Sequence, residues 1–173
     1  MTARLDRLNA LPQEEAAKQL RDCCGSSRWV EAMLARRPFE SVDDLLAAAD
    51  GAWRATGPED WDEAFAHHPR IGERHATASV SATARAWSAG EQGAATDAGA
   101  AARAALAEAN EAYERRFGRI YIVCAAGRSA GELLADIAVR MQNDPDGERA
   151  VAAEEQRKIT RLRLESLMGA RGS

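Results

Sequence analysis

Three side chains in this sequence combine reactivity with positions that ordinary surface chemistry does not explain. His68 ends the run EDWDEAFAHH, immediately before Pro69. On a helical wheel, Trp61, Ala64, Phe65 and His68 share an arc of roughly 100°, with His67 toward its edge. The wheel thus aims His68, not His67, at the apolar face, where an imidazole can move a proton near neutral pH. Arg163 falls near the middle of the arc defined by Ile159, Leu162, Leu164 and Leu167, with Arg157 and Arg161 at or beyond its edge. A guanidinium keeps its proton, so burying it requires an internal carboxylate or an anionic, carbonyl-rich ligand; otherwise its head must snorkel to water. Glu91 follows Ser88 at the spacing of a capping box, in the segment SAGEQ. Held in a first helical turn, it stays ionised and can face an imidazolium, while Gln92 can read a ligand amide. Each residue also has a plain role: a satisfied core histidine, a structural arginine, an ordinary helix start.

Other constellations carry less. His67, His68, His75 and Glu73 lie close in sequence, but H-H-P-R-I-G-E-R-H has no zinc-ligand spacing, so no metal is expected. Cys124 could serve as a nucleophile beside His68, yet a thiol within IYIVC reads more simply as an inert core residue. Trp29, Trp53 and Trp61 read as core.

The elements that must position these residues are helices. Pro12, Ser26 or Ser27, Ser41 with Asp44, Pro58 and Ser129 with Glu132 mark their starts. Ser88 is expected to start an alanine-rich helical region reaching Phe117, broken near Gly99, and a last helix should run from Asp146 to Met168. Arg70–Ala82 is polar and without apolar period, so it reads as a long loop. Arg119–Cys124 alone has strand character. One strand makes no sheet, so this segment is a short extended connector.

Composition agrees. Of 173 residues, 46% are hydrophobic, but 39 are alanine, and aromatics are only 5%. That favours packed helices over a sandwich or barrel: an all-α single domain spanning 1–173, with roughly eight helices. The net charge of −4 gives no footprint for nucleic acid or an anionic membrane. No apolar run reaches the roughly 18 residues of a membrane span. Three cysteines without a C-x-x-C pair suit a reducing cytoplasm.

Seven motifs then occur in order: CCGSSRW (Cys23–Trp29), RPF (Arg37–Phe39), DWDEAFAHHPRIG (Asp60–Gly72), SAGEQ (Ser88–Gln92), NEAYERRFG (Asn110–Gly118), IVC (Ile122–Cys124) and KITRLRLESL (Lys158–Leu167). Together, from about Leu8 to Leu167, they resemble the OHCU decarboxylase family. The resemblance implies decarboxylation of 2-oxo-4-hydroxy-4-carboxy-5-ureidoimidazoline to (S)-allantoin, the last step from urate. It implies an all-helical homodimer with a small-molecule substrate and neither metal nor organic cofactor. Its catalytic pair falls on His68 and Glu91. Its ligand contacts fall on Pro69, Ser88, Gln92, Arg163 and the backbone around Val123 and Cys124. Without a peroxisomal tripeptide after ARGS, a cytoplasmic enzyme is expected. The alternative is a non-enzymatic helical ligand-binding or interaction module on the same scaffold.

Overall fold

Proline and small hydroxylated residues open most of the helices. In the computed structural model, which describes residues 2–71, 81–91 and 99–169, the chain is all-α. The elements are α1 (Thr2–Ala10), α2 (Gln13–Cys23), α3 (Ser27–Arg36), α4 (Val42–Arg54), α5 (Pro58–Phe65), α6 (Ala82–Glu91), α7 (Ala100–Phe117), α8 (Ala130–Arg140) and α9 (Pro145–Leu167). Ser26 and Ser41 cap α3 and α4, accepting from the N–H groups of Trp29 and Asp44. Ser129 and Glu132 form the expected capping box: Ser129 N–H donates to Glu132 Oε2 at 2.7 Å, and Glu132 N–H to Ser129 Oγ at 3.3 Å. Gly118, at φ 68°, supplies the left-handed residue that ends α7. Among the described residues there is no strand, and 120–125 is a connector with neither helix nor strand. No described helix is long and apolar enough to cross a membrane.

Two expectations fail. Ser88 lies inside α6, which starts six residues earlier, so it cannot cap a helix. Alanine-rich sequence propagates a helix without a marked start, and the serine spacing was a coincidence within it. The helix through Trp61 stops at Phe65, so His67 and His68 occupy the following turn, closed by His68 N–H donating to Phe65 O at 3.1 Å. The helical phase that separated them does not extend that far.

The chain divides into two compact units, split at the end of α5 and within α9. The first comprises Met1–Ala64 and Arg157–Ser173. Its buried side chains include Leu8, Leu20, Trp29, Met33, Leu45 and Leu164. The indole N–H of Trp29, fully buried, donates to Ala49 O at 3.1 Å, which satisfies its one polar atom. The RPF segment closes onto the end of α1. Arg37 donates to Leu8 O at 2.8 Å and Leu11 O at 3.1 Å, while Asn9 and the backbone of Phe39 exchange two hydrogen bonds. A fixed cation thus meets carbonyls that the helix end leaves unpaired.

The second unit, Phe65–Gln156, packs Ile71, Leu106, Tyr113, Tyr121, Val123, Leu133 and Ile137 into one core. That core encloses an ion pair. Glu148, with no exposed surface, accepts from Arg140 Nε at 2.7 Å, Asn143 Nδ2 at 2.8 Å and the Tyr113 hydroxyl. The Arg140 guanidinium lies over the Tyr121 ring, 4.7 Å from its centroid. Burial, together with hydrogen bonds to Glu148 and Asp136 respectively, pushes the Tyr113 and Tyr121 phenols above their usual range, so both remain neutral donors. Removing one partner of such a pair strands a charge. Glu148→Ala is expected to destabilise the protein by about 3–5 kcal/mol, read as a lowered urea midpoint. A change under about 1 kcal/mol would mean that water reaches Arg140.

Candidate active site

The expected site residues fall on both units. Arg163 belongs to the first; His68, Pro69, Ser88, Glu91, Val123 and Cys124 belong to the second. Gln92 lies outside the described residues, as do the side chains of Ser88 and Glu91, whose backbones form part of the last turn of α6.

In the first unit, Arg163 lies on the buried face of its helix, as the helical phase predicts: it is 3% exposed, while Arg157 is half-buried and Arg161 is exposed. Arg157 Nη1 pairs with Asp50 at 2.8 Å and Arg161 Nη1 with the same carboxylate at 3.5 Å. Arg163 Nη1 donates to Asp22 O, 3.4 Å away in the last turn of α2, where a cation suits the carbonyl end of a helix. The Cys23–Trp29 motif lies beside it. Cys24, Ser26 and Thr160 are all buried. Burial pushes the Cys24 thiol up to about 11; hydrogen bonds from the Ser26 backbone and the Thr160 side chain, and the charge of Arg163, only partly oppose this. Glu63 accepts from Ser27 N–H at 2.8 Å and Ser27 Oγ at 2.6 Å, placing a carboxylate at the start of α3.

In the second unit, His67, His68 and Pro69 are all half-buried, so burial does not choose between the histidines. Arg70 forms a two-pronged pair with Glu114 just after that turn. Asn110 Nδ2 donates to Ile71 O at 3.3 Å, which ties the same turn to α7.

The connector holds the clearest geometry. Tyr121, Ile122, Val123 and Ala125 are buried, and Cys124 is half-buried. The Ile122 carbonyl accepts from Arg140 Nη1 at 2.8 Å, and the Cys124 N–H donates to Glu155 Oε2 at 2.8 Å. These groups belong to the two peptide units on either side of Val123. Both units are trans, since the only cis bond among the described residues is Arg37–Pro38. In a trans peptide the C=O and N–H point in opposite directions. The Val123 N–H therefore points away from Arg140, and its C=O away from Glu155. No hydrogen bond among the described residues uses either group. Buried peptide groups are nearly always paired, so this donor and acceptor stand out among the described residues. A donor and an acceptor from one residue suit the edge of an amide or ureide.

The profile of the OHCU decarboxylase family matches residues 9–165. The chain belongs to the OHCU decarboxylase family. Relatives and solved structures in and around the family agree. The chain is 37% identical, over 145 residues, to the "Uric acid degradation bifunctional protein TTL" of Arabidopsis thaliana, covering 84% of this chain and 45% of that protein. It is 40% identical, over 72 residues, to the 2-oxo-4-hydroxy-4-carboxy-5-ureidoimidazoline decarboxylase of Amia calva, covering 42% of this chain and 40% of that one. The chain thus spans less than half the length of these relatives. A crystal structure of OHCU decarboxylase in the presence of (S)-allantoin superposes with a TM-score of 0.72 at 35% identity, covering 86% of this chain and 96% of the other.

Arg140 is a buried arginine that helical phase in α8 also marks. Leu133, Ile137 and Arg140 recur at i, i+4 and i+7 in α8, so the same pattern places Arg140 on the buried face. Glu155 gave no comparable signal, because its partner is a backbone N–H.

The buried thiol gives a direct check on the first unit. In native protein at pH 8, iodoacetamide should leave Cys24 unmodified, and unfolding in urea should expose it to rapid alkylation, both read by peptide mass spectrometry. Native labelling at the unfolded rate would contradict the packing around Arg163.

Proposed function

We propose that this protein decarboxylates 2-oxo-4-hydroxy-4-carboxy-5-ureidoimidazoline to (S)-allantoin. The observation that carries the reading is family membership over residues 9–165, with the ordered motifs inside that span. The likeness to an OHCU decarboxylase structure determined with (S)-allantoin, at 35% identity over nearly all of that chain, supports the same substrate class. The reading includes a homodimer that works without metal or organic cofactor, as the resemblance implies, and a cytoplasmic location.

The chemistry asks little of a cofactor. Loss of carbon dioxide breaks the bond between the carboxylate and the quaternary ring carbon. The electron pair left behind delocalises into the ring imine, so the substrate supplies its own electron sink. The ring nitrogen takes a proton, the 4-hydroxyl gives one up to leave a carbonyl, and a proton delivered to one face of the former imine carbon, which carries the ureido group, completes (S)-allantoin. The protein must turn the carboxylate out of the ring plane, stabilise the anion and protonate one face. His68 hydrogen-bonds the 4-hydroxyl and takes part in proton transfer, with Glu91 orienting it and favouring its charged form. Arg163 and Gln92 hold ring or ureido carbonyls, and the Val123 peptide groups accept an amide edge. Arg163 is kept off the leaving carboxylate, because a tight pair there would stabilise the ground state more than the transition state.

The test generates the substrate in the cuvette from urate with the two upstream activities and follows its decay by circular dichroism in the presence of a chelator. Faster decay to one allantoin enantiomer is expected. Decay at the spontaneous rate to a racemate, with the protein folded, would leave a binding scaffold and sink the proposal. His68→Asn should fold and lose roughly 10²-fold or more of the rate, with His67→Asn much milder. Arg163→Lys keeps the charge but loses the planar fork, so substrate affinity should fall; unchanged kinetics would make Arg163 purely structural.

A further inference from the structure

The two groups that hold the peptides around Val123 have no role in the chemistry above, yet they decide where the free Val123 N–H and C=O point. A side chain grips each peptide plane. Arg140 grips the oxygen of the 122–123 peptide, and Glu155 grips the N–H of the 123–124 peptide, each at 2.8 Å. With no neighbouring strand among the described residues, the connector lacks the ladder that would otherwise set its orientation. Without Glu155, the 123–124 plane could turn about the soft dihedrals flanking it, and the Val123 carbonyl would turn with it.

Arg140 is suited to holding such a plane. Its guanidinium is fixed by Glu148 through Nε at 2.7 Å, lies 3.5 Å from Asp136 through Nη1, and stacks on Tyr121. The Nη1 that bonds Ile122 O therefore has little freedom of its own. Glu155 comes from α9, seven residues after Glu148 and on the same helical face. One turn of connector is thus held from two helices, α8 and α9.

We propose that Glu155 and Arg140 are positioning residues for the substrate: they set the angle between two peptide planes so that the Val123 N–H and C=O meet an amide or ureide edge together. This rests on the decarboxylase reading. Neither residue touches substrate; each acts through the main chain.

Glu155 provides the cleaner experiment, since Arg140 variants would also strand Glu148. Glu155→Ala removes the acceptor. Glu155→Gln keeps an acceptor oxygen at the same reach and removes only the charge. Steady-state decay of freshly generated substrate would be measured for both, with melting temperature and hydrogen exchange at the Cys124 amide. Expected for Glu155→Ala is a KM raised about tenfold or more with a smaller change in kcat, loss of Cys124 amide protection, and a nearly unchanged melting temperature. Glu155→Gln should restore KM to within about threefold of wild type. A purely structural role would lower the melting temperature and the active fraction without raising KM. Either that pattern or a wild-type KM in Glu155→Ala would overturn the proposal while leaving the decarboxylase reading intact. No turnover by the wild-type protein would overturn both.

Discussion

The buried pair between Arg140 and Glu148 is the constraint on which the second unit depends. Two charges taken from water are costly, and attraction alone rarely offsets that cost. Here the remaining polar valences are filled. Glu148 collects Arg140, Asn143 and the Tyr113 hydroxyl, and Arg140 adds the Ile122 carbonyl and two aromatic faces. The pair joins α7, α8, the start of α9 and the connector at one point. A hydrocarbon core could hold these elements together, but it would not specify the rotation of a peptide plane. The ionic network does, because its bonds are directional.

The first unit uses a related device on a smaller scale. Arg37 and Arg163 each aim a guanidinium at carbonyls near a helix end, and Glu63 supplies a carboxylate at a helix start. Charges placed at helix termini complement the partial charges there. Arg163 accordingly has a structural contact beside its proposed role toward substrate, and a variant at this position tests both.

The helices were legible because their starts are written in local chemistry. Ser26, Ser41, Pro58 and Ser129 each act on the next few residues, so sequence spacing carries the information. Arg163 was legible because its helix is long and its phase continuous. His68 was separated from His67 by extending a helical phase past Phe65, where the helix had already ended; the family motif before Pro69, not the wheel, is what singles it out. Ser88 misled because alanine needs no cap to be helical. The connector was the least legible part. Its bonds join residues 18 and 31 positions apart, and one side of each bond is main chain, which has the same chemistry at every position.

The proposed recognition of substrate by Val123's peptide groups has a consequence for how the site can change over evolutionary time. The side chain at that position contributes packing but no donor or acceptor. Isoleucine or another apolar residue of similar volume would present the same N–H and C=O. Drift is therefore permitted at the residue that would touch ligand and restrained at residues some way off, whose side chains hold the backbone still. Across relatives, the trace of this contact should be coupled variation at positions 140, 148 and 155 rather than invariance at 123. A survey of function by side-chain identity would pass over the contact while recording the residues that support it.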